Sequence, residues 1–457
     1  MKKIISIMII CLVVTGVLPF HYSHGEFMNS KYLDVKVGKP FNTSDYITLS
    51  SDNGFYFYNK DDKRNEIFQV INTSIIVSNN DEEGLDILDS NNNILTTVPG
   101  DGSVIIGAGS FGDSIIQVGK NRYRDFIGFL VKNDGILLIN HIEIENYLYG
   151  VVPKEIGASF PMESIKAQAV AARTYALSNI NKHKNEGFNL CDTTHCQVYG
   201  AMDAEHSSTN QAVNETRNMV VYYKGKLAET TFHSNNGGYT ESNKDAWGGA
   251  ALGYLIAKED KFSLNSPNSS WTVKLTLQEM SLKLISGGID VGELIDMEVL
   301  EISEGKRVLK LKIKGSSKDE IISGAKLRTI LGNNEIKSTF FNINKEGTSS
   351  NLKTYVIDGN NNEPIEINLN TATIVDGKEI KSTTRNRVTR ATGQDRSKDI
   401  ENTYTASPTS FTFEGKGYGH GVGMSQYGAM EMAKQGYNFE EILKYYYTGV
   451  DIINSGQ

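Results

Sequence analysis

Residues 161–177, which read PMESIKAQAVAARTYAL, are expected to form the helix at the centre of the fold. Pro161 suits a first helical position, and Glu163 in the first turn complements the positive end of the helix dipole. Alanine is unusually frequent along the helix, with small side chains at positions 167, 169, 171, 172 and 176. Small faces allow neighbouring backbones to approach closely, so we expect a buried, central helix.

On either side of this helix, the pattern predicts an α+β protein. Upstream, residues 55–58, 68–71, 74–77 and 126–131 are short β-branched or aromatic runs separated by turn residues, which predicts a β-rich region over 30–135. Apolar residues from Ile144 to Val151 then indicate a short helix that ends at Pro153. Downstream, strands are expected at 270–275 and 308–313, with a helix between them at 277–284.

A polar, Thr- and Asn-rich stretch at 345–407 interrupts the remainder of the chain. We interpret it as an inserted, partly disordered loop, whose basic residues near 384–398 are either a solvated linker or a contact for an anionic polymer. The expected organisation is therefore a β-rich region (30–135), a core (138–344), the insertion (345–407) and a return to the core (408–457).

Composition and charge limit the function. The chain has 457 residues, of which 39% are hydrophobic and 22% charged, so it is long enough for two or three globular domains. Its net charge is −8 and it has no long basic stripe, which argues against a nucleic-acid partner.

The N-terminus predicts export. Lys2 and Lys3 precede an apolar run at 4–20, and Ser23 and Gly25 fit a signal-peptide cleavage site, so residues 1–25 are expected to be a leader. An uncleaved membrane anchor formed by residues 4–20 is the alternative. Both place the rest of the chain outside the cytoplasm.

Glu155 is the candidate general acid. It follows Pro153 and precedes a loop, where a carboxyl group can face a groove, and apolar neighbours would raise its pKa enough to protonate a glycosidic oxygen. Glycoside hydrolases need a second carboxylate, but Glu163 is expected to point away. The alternative is an exposed loop glutamate.

Two cysteines stand close together in residues 191–199, CDTTHCQVY. In an exported protein, Cys191 and Cys196 first suggest a disulfide. With an imidazole from His183 or His195, they would instead fit a tetrahedral zinc site.

Two further segments are rich in glycine and polar residues. The alternating glycines around His420 do not match the dinucleotide-binding fingerprint, so they indicate either a loop that presents backbone N–H groups and His420 to a sugar or a packed turn. Residues 232–247, FHSNNGGYTESNKDAW, suit carbohydrate binding, although a long hairpin turn would look similar.

Five ordered motifs together resemble the stage II sporulation protein D/LytB family. They are YGVVPKE (149–155), AQAVAARTYA (167–176), CQVYG (196–200), SNNGGYT (234–240) and GYGHGVGMSQYGA (417–429). Phe160, where the family usually has Trp, and Ala201, where it often has Gly, depart from the pattern.

This resemblance implies a peptidoglycan lytic transglycosylase that acts on denuded glycan strands during sporulation or wall remodelling. Glu155 would be catalytic, first protonating the bond oxygen and then deprotonating the C6 hydroxyl of muramic acid, which closes a 1,6-anhydro ring without water. The residues implied for substrate binding are Gln168, Arg173, Tyr175, Tyr199, Ser234, Asn235, Tyr239, Thr240, His420, Ser425 and Gln426.

The resemblance also implies a structural zinc ion bound by Cys191, Cys196 and one histidine, for which His183 is preferred to His195. Some relatives are described as amidase enhancers. The alternative function is therefore a non-catalytic wall protein that stimulates a partner amidase, and a third is a zinc hydrolase.

Overall fold

The computed structural model describes residues 32–62, 66–80, 84–108, 114–133, 135–347 and 406–456, together with the backbone of short strands between 348 and 405. The leader or anchor predicted at 1–25 lies outside the described residues. None of the helices in these ranges combines the length and apolar character needed to cross a bilayer.

The N-terminal region consists of two mainly antiparallel sheets that share one hydrophobic core. The strands are β1 (Tyr32–Phe41), β2 (Ile47–Ser50), β3 (Phe55–Asn59), β4 (Glu66–Val70), β5 (Ser74–Asn79), β6 (Gly84–Leu88), β7 (Ile94–Pro99), β8 (Asp101–Gly107), β9 (Ile115–Val118), β10 (Asn121–Arg124), β11 (Phe126–Lys132), β12 (Gly135–Glu143) and β13 (Leu190–Cys191). The first sheet has the order β13-β1-β12-β11-β8-β3-β4 and the second β10-β9-β2-β5-β6-β7. The alternating burial in β1 shows why these sequences form strands, since every second side chain enters the core.

Three helices and three short strands begin the core, and the predicted α+β class is confirmed. They are α1 (Ile144–Glu155), α2 (Met162–Ser178), α3 (Ser207–Glu215), β14 (Met219–Tyr223), β15 (Lys226–Leu227) and β16 (Phe232–His233). Strand β12 crosses the boundary expected near 135–138 and leads directly into α1, so the β-rich region and the core share a sheet and a hydrophobic core.

Helix α2 lies between two hydrophobic cores. Ala169, Ala172 and Ala176 pack in the core of the N-terminal sheets, whereas Ala167 and Ala171 pack in a second core with the C-terminal helices, and all five are fully buried. The small residues that predicted a central helix therefore allow close packing on two sides.

The predicted end of α1 at Pro153 was wrong, because the helix continues through Pro153 to Glu155. Proline lacks the N–H for the carbonyl four residues earlier, but the next turn is closed by the Ile156 N–H, which donates to the Val152 carbonyl at 3.0 Å.

A further lobe with its own hydrophobic core follows β16. The elements from here to the insertion are α4 (Asn243–Trp247), β17 (Ser270–Thr276), α5 (Leu277–Ser286), β18 (Leu294–Ile302), β19 (Val308–Gly315), β20 (Asp319–Ser323), α6 (Gly324–Leu331) and β21 (Phe341–Glu346). After the insertion come β30 (Ser410–Lys416), β31 (Met424–Ser425), α7 (Gln426–Lys434), α8 (Phe439–Tyr446) and β32 (Asp451–Asn454).

The expectation of a loop over 345–407 was wrong for the described parts, which are paired strands. Their pairs are β22 (Ser349–Ser350) with β29 (Ala406–Ser407), β23 (Lys353–Val356) with β24 (Ile365–Asn368), β25 (Thr373–Val375) with β26 (Ile380–Ser382), and β27 (Arg390–Thr392) with β28 (Ser397–Asp399). Strands β21 and β30 flank this segment and pair with each other, Glu346 opposite Ser410. Because its two ends are neighbours, a long insertion costs the lobe little.

Candidate active site and metal centre

Glu155 is the last residue of α1 and is half-buried. Its sequence neighbours Val151, Val152 and Ile156, which were expected to supply apolar surroundings, are buried. Burial raises the pKa of the carboxyl group, and the Val198 N–H, which donates to Oε1 at 3.2 Å, lowers it by less. The carboxyl group therefore stays protonated to a higher pH than an ordinary glutamate, as a general acid requires.

The segment that donates this hydrogen bond, residues 196–200, is hydrogen-bonded to α1, α2 and β12. Gln197 Nε2 donates to the Ala172 carbonyl at 3.3 Å, and the Tyr199 hydroxyl donates to Asn140 Oδ1 at 2.8 Å. The Gly200 N–H donates to the Gly150 carbonyl at 3.0 Å. The Val198 N–H that donates to Glu155 is thus held in place by hydrogen bonds on both sides of it.

Gly150 allows this contact between α1 and the segment. A Cβ at this position would lie 2.5 Å from the Tyr199 ring and 2.8 Å from the Ala201 carbonyl oxygen. Any larger residue would push the segment away from α1, so the motif needs glycine here.

The two glycine-rich motifs meet next to the loop that follows Glu155. Strands β16 and β31 pair in parallel, with His233 opposite Ser425. The Tyr427 N–H donates to the Ser234 carbonyl at 3.1 Å, and the Tyr427 ring lies 5.5 Å from the Phe160 ring, centroid to centroid. The C-terminal motif therefore touches the Glu155 loop through an aromatic contact.

Arg173 does not lie where a ligand could reach it, contrary to the expectation that it binds substrate. Its side chain is 1% exposed, and Nε and Nη2 donate to the two carboxylate oxygens of Glu145 at 2.9 and 2.6 Å. The remaining bonds go to the backbone carbonyls of Met219 and Val213. Arg173 thus joins α1, α2 and the chain around β14 as a buried ion pair.

Four other residues expected to bind substrate are also internal. Asn235 is fully buried, and its amide nitrogen donates to the Ser263 carbonyl, Ser266 Oγ and the Pro267 carbonyl. Ser425 caps α7 by accepting the Gly428 N–H, and Thr240 bonds the chain at 256–258. Tyr199, described above, completes this set. Their polar atoms are used within the protein, so the structure gives these residues a scaffold role.

His420 has the packed-turn arrangement that the sequence left open. Its Nε2 donates to the Phe232 carbonyl at 3.0 Å and its Nδ1 accepts the Val422 N–H at 3.0 Å, so the ring is neutral. Burial, with a smaller contribution from Arg307, lowers its pKa to about 4. The ring lies 5.1 Å from that of Trp247, which is 54% exposed.

The other expected substrate residues keep exposed surface or free polar atoms. Tyr175, Ser234 and Tyr239 are half-buried. Gln168 and Gln426 lie together, Gln426 Nε2 donating to Gln168 Oε1 at 3.4 Å, and the buried Gln168 Nε2 has no hydrogen-bond partner among the described residues.

His183, Cys191, His195 and Cys196 converge, and their ligand atoms all lie within 4.8 Å of one another. Both cysteines are free thiols. Cys196 Sγ lies 3.4 Å from His183 Nε2, and His195 Nδ1 lies 3.8 Å from each sulfur. A tetrahedral zinc ion with Zn–S of ~2.3 Å and Zn–N of ~2.0 Å separates its ligands by about 3.3–3.8 Å, so these residues fit a metal.

The surroundings of the cluster also suit a metal. His183 Nδ1 lies 2.5 Å from Glu186 Oε1, which turns Nε2 toward the sulfurs, as a carboxylate behind a metal-binding histidine does. Burial raises the pKa of both thiols, but hydrogen bonds from Thr193 and His195 outweigh it at Cys191 and lower that pKa to about 6. One thiolate is thus favoured even before a cation is added.

Sequence reasoning missed three residues around these sites. Glu186 had a signal, the i,i+3 spacing from His183. Lys182 donates to the Tyr175 hydroxyl at 3.4 Å and to the His195 carbonyl at 2.5 Å. Arg307, from the further lobe, is 2% exposed and donates to the Asn236 carbonyl at 3.0 Å, holding the 234–240 loop from outside all five motifs.

Comparison with known proteins agrees with the family resemblance. Residues 132–223 match the family model described as stage II sporulation protein, and residues 249–361 match a domain of unknown function. The chain is 30% identical over 334 residues to an uncharacterized protein of Brachyspira hyodysenteriae, and this alignment covers 73% of each protein. It is 27% identical over 332 residues to stage II sporulation protein D of Bacillus subtilis, covering 69% of this chain and 75% of that protein.

A third relative is the amidase enhancer of Bacillus subtilis, 32% identical over 308 residues. The alignment covers 67% of this chain but only 40% of the amidase enhancer's length.

Proposed function

Because the chain belongs to the stage II sporulation protein D family, we propose that it is an exported peptidoglycan lytic transglycosylase acting in sporulation or wall remodelling. Its substrate would be the bond between N-acetylmuramic acid and N-acetylglucosamine in denuded glycan strands. The observation that carries this proposal is Glu155, a carboxyl group with a raised pKa at the end of a rigid helix.

The contacts of Glu163 support a transglycosylase over a hydrolase that pairs Glu155 with Glu163. Glu163 is the next carboxylate along the chain, but its oxygens are engaged elsewhere, by Lys166 Nζ at 2.9 Å and the Phe439 N–H at 2.9 Å. A hydrolase uses its second carboxylate to activate water or form a covalent intermediate. A transglycosylase needs no second carboxylate for either of these roles.

In the proposed reaction, protonated Glu155 gives its proton to the bridging oxygen as the bond from C1 of muramic acid breaks. The resulting carboxylate takes the proton of the C6 hydroxyl, and O6 bonds to C1. The products are a free 4-hydroxyl and a 1,6-anhydromuramoyl end, and Glu155 regains its proton.

Mass spectrometry of digested denuded glycan tests this. We expect wild-type protein to produce 1,6-anhydromuramoyl ends and Glu155→Gln to produce none, while Glu163→Gln, the matched carboxylate control, still produces them. Because the reaction starts from the acid, activity should fall as the pH rises through the raised pKa of Glu155. Absence of anhydro ends from folded wild-type protein would refute the proposal.

We further propose that the cluster binds a structural zinc ion through Cys191, Cys196, His183 and His195. Four protein ligands complete a tetrahedron and leave no open position for a water molecule, which disfavours a zinc hydrolase. Metal analysis should find one zinc per chain, and its removal should unfold the chain rather than affect chemistry alone.

The name of the 32% identical relative supports a second candidate, stimulation of a cell-wall amidase. This function needs wall binding but no general acid. Glu155→Gln should then leave stimulation of an added amidase unchanged. A variant that loses both activities in parallel counts against the second candidate.

A further inference from the structure

A cavity of about 530 Å³ opens in the N-terminal region, outside the five motifs. It lies between the ends of β1 and β2 on one side and the turn between β9 and β10 on the other. Its volume is within the ~300–1,000 Å³ typical of ligand sites.

The lining combines aromatic rings with few polar groups. Phe41, Tyr46 and Tyr123 contribute rings, and Asn121 contributes an amide. Lys39 is the one charged residue among those that line the cavity, and no carboxylate is among the described lining residues. Rings offer stacking faces, an amide pairs with hydroxyl or acetamido groups, and an ammonium attracts an anion, so the lining suits an anionic sugar.

The largest exposed ring of the lining belongs to Tyr46, which follows a hydrogen-bonded turn. Tyr46 is 68% exposed although it is large and apolar over most of its surface. It follows a turn in which the Asp45 N–H donates to the Asn42 carbonyl at 3.0 Å and the Asn42 N–H donates to Asp45 Oδ2 at 2.8 Å. The turn orders the backbone next to Tyr46, which lowers the backbone part of the ordering cost of binding.

Both walls of the cavity are hydrogen-bonded to residues 192–203, the segment whose Val198 N–H donates to Glu155. On one wall, the Gly38 N–H donates to Asp192 Oδ2 at 2.7 Å. On the other, the Arg122 N–H and Nε donate to the two oxygens of Asp203 at 2.8 Å each. Residues 192–203 between these anchors include the Val198 N–H that bonds Glu155.

We propose that this cavity is a second glycan subsite, which binds an N-acetylmuramic acid unit with its sugar face on Tyr46 and its carboxylate on Lys39. The identity of the glycan rests on the proposed function, whereas the affinity for an anionic sugar rests on the cavity alone. A strand held at both sites is retained between cleavage events, so the subsite favours long strands.

Binding is measured by calorimetry on the full chain carrying Glu155→Gln, which keeps the ligand intact. The probes are denuded glycan oligosaccharides and uncharged N-acetylglucosamine oligomers of equal length. Tyr46→Ala should weaken both roughly three- to tenfold, the range expected for loss of one aromatic contact. Lys39→Gln should weaken only the denuded glycan. Ile94→Ala and Lys434→Gln, exposed positions outside the lining, serve as controls.

The outcomes separate the two proposals. Unchanged affinity for denuded glycan in both Tyr46→Ala and Lys39→Gln overturns the subsite, even where wild-type protein releases anhydro ends. Equal weakening of charged and uncharged oligomers by Lys39→Gln overturns the assignment of the carboxylate. If affinity depends on Tyr46 and Lys39 but wild-type protein releases no anhydro ends, the subsite stands and the transglycosylase proposal fails.

Discussion

Glu145→Gln is expected to destabilise the protein strongly and thereby show that Arg173 is structural. Both side chains of this ion pair are 1% exposed, and the Glu145 carboxylate accepts two bonds from Arg173 and one from the Asn218 N–H. Removing one partner leaves a buried guanidinium without a counter-charge, which costs about 3–5 kcal/mol. At 2–4 °C per kcal/mol, the unfolding temperature should fall by roughly 6–20 °C.

The assay is thermal unfolding followed by circular dichroism for Glu145→Gln, Arg173→Met and the double variant. The stability losses caused by substituting two contacting residues are not additive. The double variant should therefore lose clearly less stability than the sum of the losses in the two single variants. Glu301→Gln, which removes an exposed partner of Lys310, is the control and should change stability by less than about 1 kcal/mol. Additive losses, or an Arg173→Met protein with unchanged stability and a raised KM for glycan, would refute the scaffold role.

Three further predictions concern Ala201, Cys191 and His420. Ala201 has a φ of 53° and a ψ of −158°, a conformation that favours glycine. Ala201→Gly should therefore stabilise the chain by up to about 1 kcal/mol in urea titrations; a loss of stability would show that the buried methyl group dominates. Cys191→Ser should lower both zinc content and unfolding temperature, and an unchanged zinc content would exclude Cys191 as a ligand. Between about pH 6.5, the usual pKa of an exposed histidine, and about pH 4 the unfolded chain binds a proton that folded His420 does not. Stability should therefore fall as the pH falls through this range, and His420→Gln should flatten that slope; an unchanged slope would contradict this assignment.

Local sequence patterns predicted those helices and strands whose formation depends mainly on residues close in sequence. The buried position of α2 follows from its alanines, and the strand content of the N-terminal region follows from alternating apolar residues. The helix end at Glu155 was missed, because the Ile156 N–H closes the turn after Pro153.

Long-range partners could not be predicted in the same way. Arg173 stands in a motif, and nothing nearby in sequence shows that its charge is matched by Glu145, 28 residues away. His195 was the second choice for the metal because spacing alone does not tell which imidazole reaches the sulfurs; the fold brings both. The role of Arg307 depends on a lobe folding back onto the 234–240 loop, which no local pattern encodes.

The cluster of His183, Cys191, His195 and Cys196 and the N-terminal sheet are both connected to Glu155 through residues 191–198. Lys36 in β1 pairs with Cys191, which places one cysteine of the candidate metal cluster directly beside the sheet. Five residues later Cys196 begins the segment whose Val198 N–H donates to Glu155. That bond lowers the pKa of Glu155 against the effect of burial. We therefore expect a displacement of β1 or of the two sulfurs to change both the position and the pKa of the carboxyl group. The β-rich region is thus part of the framework that positions Glu155.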